Sequence, residues 1–161
     1  MEKIKSDLRS YYIKKRGRFS AQKINDLSIS VVNNCLKLDL WDKSIYHLFM
    51  SSDLNNEIDT SFLLSVIQGK DKQPVIPKIT ENNHLDHYLL TDQTLLKYNK
   101  WGIAEPQSGI KISPKKIEVV FVPLLIFDLL GHRVGYGKGF YDLFLTKCPK
   151  ETIKVGLSYF E

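Results

Sequence analysis

The sequence predicts an α/β domain of three layers, a mainly parallel sheet flanked by helices. Three observations carry that prediction. Segments of strand character alternate with segments of helical periodicity along the chain. The most apolar run, IEVVFVPLLIF (Ile117 to Phe127), lacks polar alternation, as expected of a strand buried on both faces. A glycine-rich segment joins that run to the last helical pattern, where an α/β sheet ordinarily receives its ligand. At 161 residues, 43% of them hydrophobic, the chain has the usual size of one domain and enough apolar content for a core. Residues 1–161 are therefore read as a single unit, with no repeat, low-complexity stretch or linker to divide it.

The elements follow in order. Ile4, Leu8, Tyr11 and Tyr12 recur at helical spacing, so the first segment reads as an amphipathic helix with a basic remaining surface. Lys5 and Arg9, four apart, share one side of it. Ser20 is a plausible N-cap for a second helix whose buried stripe would be Ile24, Leu27, Val31, Val32, Cys35 and Leu36. SIYHLFM (Ser44 to Met50) reads as a strand and the Ser and Asn clusters after it as a loop. Thr60 can cap a short helix through Ile67 that ends at Gly69, and PVIP and LDHYLL follow as brief strands. After the Ile117 to Phe127 run, a helix beginning near Lys138 and a strand TIKVGLSYF (Thr152 to Phe160) complete the pattern.

The formal charge of +5 and a pI near 9.1 favour anionic ligands and leave phosphate compounds, poly-acidic small molecules and nucleic acid open. Cys35 and Cys148 have no metal-type spacing and read as reduced thiols of a cytosolic protein. No signal-peptide core and no run of the roughly 20 apolar residues that span a bilayer is found, so a soluble cytoplasmic protein without a membrane partner is expected.

The segment GHRVGYGKGFYD (Gly131 to Asp142) combines four glycines with His132, Arg133 and Lys138. Gly135, Gly137 and Gly139 free the backbone so that main-chain N–H groups can approach an anion, and the cations add formal charge. Together these parts predict a phosphate cradle. It is neither a Walker loop nor a full dinucleotide fingerprint. Asp142, beside the cradle, is suited to hold Mg²⁺ directly or through water, although an Asp there also complements a helix start. The cluster Lys14, Lys15, Arg16 and Arg18 is the one feature that would suit a nucleic-acid module, and such a run is usually a solvated helix end.

Four pieces, KSDLR (Lys5 to Arg9), NEIDT (Asn56 to Thr60), WGIAEP (Trp101 to Pro106) and VPLLIFDLLGHRVGYGKGFYD (Val122 to Asp142), together resemble the 5-formyltetrahydrofolate cyclo-ligase family, in its order and at compatible spacings. The resemblance implies a Rossmann-like fold of the cyclo-ligase and CoA-transferase type. It implies ATP- and Mg²⁺-dependent conversion of 5-formyltetrahydrofolate to 5,10-methenyltetrahydrofolate through a phosphorylated formyl group. ATP contacts are carried over to Ile4, Lys5, Ser6, Asp7, Leu8 and Arg9, and to Arg133, Val134, Gly135, Tyr136, Gly137, Lys138, Gly139, Phe140 and Tyr141. Lys138, Arg133 and Tyr141 are read as catalytic, and Met50, Glu57, Trp101 and Tyr141 as the folate side. Asp142 is read as the metal ligand, and the protein as a monomer without nucleic acid.

Three departures accompany the resemblance. Leu124 stands where a glycine is expected, so the local turn is expected to differ. Phe140 replaces the first tyrosine of a Tyr-Tyr-Asp. The family usually continues past the last strand, so the C-terminal elements and a second acidic metal residue are expected to be missing. The alternatives are another ATP-dependent phosphotransferase, or a shortened form that binds nucleotide or folate without turnover.

Overall fold

The computed structural model describes residues 2–160. Helix α1 (Glu2–Arg16) and helix α2 (Ala21–Cys35) lead into strand β1 (Ile45–His47), helix α3 (Ser61–Gly69), strand β2 (Gln73–Ile79) and strand β3 (Leu85–Leu89). A hairpin of β4 (Leu96–Tyr98) and β5 (Ala104–Pro106) precedes β6 (Val119–Pro123). A second hairpin, β7 (Ile126–Phe127) and β8 (Arg133–Val134), precedes helix α4 (Phe140–Thr146) and strand β9 (Ile153–Leu157).

Five strands form one sheet in the order β3-β2-β1-β6-β9. The β1–β2, β1–β6 and β6–β9 pairs are parallel. Alternation along β6 accounts for its unbroken apolar character. Val119 and Phe121 pack with Val32 and Cys35 of α2 and Leu63 and Ile67 of α3, whereas Val120 and Val122 pack with Phe144 of α4. The two faces therefore carry separate layers, as expected. β3 breaks the parallel pattern, with Val75 opposite Leu89 and Ile79 opposite Leu85. Its connection to β2, with Asn82 and Asn83 at positive φ, is too short for a crossover and so dictates an antiparallel return.

Several local expectations are corrected. The Ile117 to Phe127 run is two strands, because the chain leaves the sheet after Pro123 and Leu125 N–H donates to the Val134 carbonyl at 2.8 Å in the second hairpin. Leu124 is buried, and its methyl lies where a Cβ on Gly156 would come within 2.5 Å, so the bulk of Leu124 is accommodated by the missing side chain at Gly156. Ser20 does cap α2, its Oγ accepting from Lys23 N–H at 3.2 Å. In that helix Leu36 is exposed and Ser28 is buried in its place; Ser28 Oγ accepts from Asp59 N–H at 2.9 Å. Thr60 does not cap α3 with its side chain. Asp59 accepts from Ser61 N–H at 2.9 Å, while the buried Thr60 hydroxyl donates to the Phe49 carbonyl. The last helix begins at Phe140, not Lys138.

The largest correction concerns α1. Ile4, Leu8 and Tyr11 are exposed, and the residues withdrawn from solvent are Arg9, Tyr12 and Arg16, a stripe at helical spacing. Tyr12 packs its ring 4.8 Å from that of Phe160. Arg16 is only 4% exposed, so the basic run is not one solvated surface. Among the described residues no helix is long and apolar enough to cross a membrane. Both cysteines are free, and burial pushes the Cys35 thiol up to about 11.

Candidate functional site

The carboxyl ends of β1 and β6 open into a cleft of about 560 Å³. Phe49, Met50 and Pro123, which follow or end those strands, line it. Lys5 and Arg9 of α1, residues Arg133 through Asp142, Glu57 and Trp101 line the same cleft. Residues from four distant stretches of sequence thus meet in one cavity. Ile4, Ser6, Asp7 and Leu8 do not line it; they are exposed on other faces of α1.

The glycine segment owes its path to two residues. Gly137 at φ 82° and Gly139 at φ 73° occupy the left-handed region that side chains disfavour. Gly135 has no positive φ and open space at its Cβ position, so its expected conformational role is not required. Arg9 binds this loop: its Nε donates to the Gly135 carbonyl at 2.9 Å, and a Cβ on Gly137 would come within 2.9 Å of its guanidinium carbon. The Arg9 side chain is thus part of the loop's support. Arg133 Nη2 donates to Asp142 Oδ1 at 2.6 Å across the loop, so the expected cation and metal ligand are paired with each other. Lys138 is exposed at the edge of the cleft.

Glu57 lies in the segment between β1 and α3. Its Oε2 accepts from Ser52 N–H at 2.7 Å. Burial holds its carboxyl above the usual range, opposed by the nearby Tyr136 hydroxyl, the Ser52 amide and the charge of Arg16. Trp101 is 38% exposed, so it is no core indole; the Lys100 ammonium lies 4.5 Å from its ring centroid. Its turn is fixed by Asn99, which accepts from Trp101 and Ile103 N–H, and by Ser52 Oγ donating to the Trp101 carbonyl at 2.8 Å. That last bond ties the turn to the Glu57 loop.

Tyr141 lines the cleft with its ring, but its hydroxyl is buried without a hydrogen-bond partner, contrary to the polar contact expected of it. Beneath it sit His47 of β1 and His87 of β3, with ring centroids 5.0 Å apart, packed on Phe144. Both His47 nitrogens and His87 Nδ1 also lack partners. Burial drives His47 well below the ordinary histidine value, with His87 adding to it, and lowers His87 to about 4. Sequence spacing showed no link between these residues, which only the β1-β2-β3 order brings together.

Sequence reasoning also missed Glu105, a third carboxylate on the cleft beside Glu57 and Asp142. It accepts from Ile79 N–H at 2.8 Å. Its signal in the sequence is its place in WGIAEP, beside Trp101.

The model of the 5-formyltetrahydrofolate cyclo-ligase family matches residues 1–159. The probable 5-formyltetrahydrofolate cyclo-ligase of Schizosaccharomyces pombe is 29% identical over 147 residues, covering 89% of this chain and 72% of that protein. The 5-formyltetrahydrofolate cyclo-ligase of Haemophilus influenzae is 28% identical, covering 98% of this chain and 84% of its own length. The solution structure of 5,10-methenyltetrahydrofolate synthetase from Aquifex aeolicus superposes with a TM-score of 0.81 at 30% identity, over 98% of this chain and 81% of the other. With a match along nearly all of its length and the same fold beneath it, the chain belongs to the 5-formyltetrahydrofolate cyclo-ligase family.

Proposed function

We propose that this chain, acting as one domain and as a monomer in the cytoplasm, converts 5-formyltetrahydrofolate to 5,10-methenyltetrahydrofolate with ATP and Mg²⁺, releasing ADP and phosphate. The observation that carries the reading is the shared cleft: cations and a glycine loop suited to phosphates border the same cavity as a half-buried carboxylate and a half-exposed indole. Neither a nucleic acid nor a membrane is invoked.

The chemistry matches the residue types. A formyl oxygen on nitrogen is a poor leaving group. The formyl oxygen bonds to the γ-phosphorus of ATP as ADP departs; the second folate nitrogen then attacks the formyl carbon, loses its proton, and phosphate leaves with the C–O bond. Such transfers need alignment and neutralisation of charge more than a protein nucleophile. Lys5 and the loop amides from Gly135 to Gly139 would hold the phosphates, with Arg9 supporting the loop through Gly135. Lys138, exposed on the cleft edge, would neutralise charge on the transferred group, and Arg133 would assist it. Glu57 would accept two N–H bonds from the aminopyrimidine edge, Met50 would flank the pterin, and Trp101 would stack on a ring.

The site fits Mg²⁺ in one way. Among the described residues no three carboxylate, histidine or cysteine side chains converge, so the ion would be shared between Asp142 and phosphate oxygens, its ordinary mode of binding. There it would supply charge neutralisation.

Incubation of the chain with Mg-ATP and 5-formyltetrahydrofolate, following methenyl absorbance and ADP together, tests the reading. Both signals are expected in equal amounts. ADP from a different acceptor without methenyl product would point to another phosphotransferase, and binding with neither product to a form without turnover.

A further inference from the structure

One carboxylate on the cleft takes no part in the transfer described above. Glu105, in the middle of β5, is only 9% exposed and lines the cleft. Ile79 N–H, at the end of β2, donates to its Oε1 at 2.8 Å and so fixes the direction of the carboxyl group. Among the described residues Glu105 joins no ion pair, although Lys97 stands opposite it on β4. Burying a carboxylate that no cation compensates is costly, which points to a use for its second oxygen.

The cleft beside Glu105 is apolar. Ile103 precedes it by two positions, Ile79 carries the amide that binds it, Leu85 stands opposite Ile79 on β3, and Pro77 completes the wall. Such a wall suits an aromatic ring. In 5-formyltetrahydrofolate the second nitrogen of the closing ring is attached to the benzoyl ring, so a benzoyl ring seated on this wall brings that nitrogen to Glu105.

Ring closure requires that nitrogen to lose its proton, and the rest of the cleft offers no free acceptor. Its lining holds no histidine and no cysteine. Asp142 is paired with Arg133 at 2.6 Å, and Glu57, already accepting from Ser52 N–H, is assigned to the aminopyrimidine edge. The other ionisable side chains of the lining are cations or phenols. A general base must come within hydrogen-bond reach of the proton it takes, and a carboxyl group held by one oxygen keeps the other for that bond.

We propose that Glu105 is the base of ring closure, taking the proton of the second folate nitrogen on its second carboxylate oxygen. The nitrogen lone pair forms the new C–N bond. The N–H bond then breaks, its electron pair stays on nitrogen and its proton passes to Glu105. Phosphate leaves with the electrons of the C–O bond, and Glu105 gives the proton to water between turnovers. The proposal rests on the cleft assignment made above and adds a catalytic residue to its folate side.

Rapid-quench measurement of ADP and methenyl product from Mg-ATP and 5-formyltetrahydrofolate in a single turnover tests it, on the wild type and on Glu105→Gln. Glutamine keeps an oxygen for Ile79 N–H and the shape of the side chain but cannot take the proton. In the wild type the two products should rise together. In the variant ADP should form within about threefold of the wild-type rate and methenyl about 10²-fold more slowly, with folate affinity by calorimetry within about threefold. Glu105→Ala should be as slow, and formate, a carboxylate small enough for the gap, should restore its methenyl rate by about tenfold where chloride does not. A Glu105→Gln protein that forms methenyl at a near-wild-type rate would overturn the proposal, leaving the proton to phosphate or water and the cleft assignment intact. Equal slowing of ADP and methenyl, lost folate affinity, or no rescue by formate would overturn it as well. A wild type that forms neither product would remove the cleft assignment and the base together.

Discussion

Acidification from about pH 7.5 to about pH 5 should weaken this fold through one pair of residues, His47 and His87. Both are buried, at 0% and 4% exposure, and neither ring nitrogen of His47 has a partner. Each is held neutral in the folded chain, by burial above all, and each takes up a proton near 6.5 when unfolded. A histidine whose folded value is depressed costs nothing above the unfolded value. It costs progressively more as pH falls from there toward the folded value. With His87 lowered to about 4, the unfolded state at about pH 5 gains about 2 kcal/mol from that residue alone. His47, held well below its ordinary value by burial, acts in the same direction. Even the loss of about 2 kcal/mol from His87 is a large part of the 5–15 kcal/mol available to a typical domain. Glu57 acts with the opposite sign, since a carboxyl held above its usual range gains relative stability on acidification.

Urea unfolding followed by tryptophan fluorescence across this range measures the effect as a falling midpoint at constant slope. The double variant His47→Leu/His87→Leu, which keeps side-chain volume, should lose most of the pH dependence. A flat wild-type midpoint between those limits, or an equal fall of the midpoint with pH in the two proteins, would refute the reasoning.

Other consequences follow from single contacts. Lys138→Ala should lower turnover by about 10²-fold with a smaller change in the KM for ATP, read from steady-state rates; a near-wild-type rate would remove it from the chemistry. Gly137→Ala forces a side chain onto φ 82° and against the Arg9 guanidinium, and should cost about 1–3 kcal/mol in thermal unfolding as well as nucleotide affinity by calorimetry. Gly156→Ala drives a methyl into Leu124 and should destabilise by about 1–3 kcal/mol; combined with Leu124→Ala, the loss should fall short of the sum by about 1 kcal/mol in a double-mutant cycle.

Much of this protein is legible in its residues alone, wherever the deciding interaction is local. The unalternating run at Val119 to Val122 announces a strand covered on both faces. Ser20 announces a helix start, and the glycines at 137 and 139 announce a backbone free to turn. Periodicity says that an element has two faces without saying which one meets the core. On α1 the apolar Ile4, Leu8 and Tyr11 are exposed while Arg9, Tyr12 and Arg16 turn inward, because the Gly135 carbonyl and the rings of Phe160 and Tyr136 offer partners that no local pattern records. The antiparallel return of β3, the meeting of His47 with His87, and the bond from Arg9 to the Gly135 carbonyl likewise depend on which strands and loops become neighbours. Backbone propensity and spacing act over a few residues, whereas burial and charge pairing act between residues far apart in the chain. The candidate residues could therefore be named from the sequence, and only the folded chain decides which of them pair with each other, as Arg133 does with Asp142.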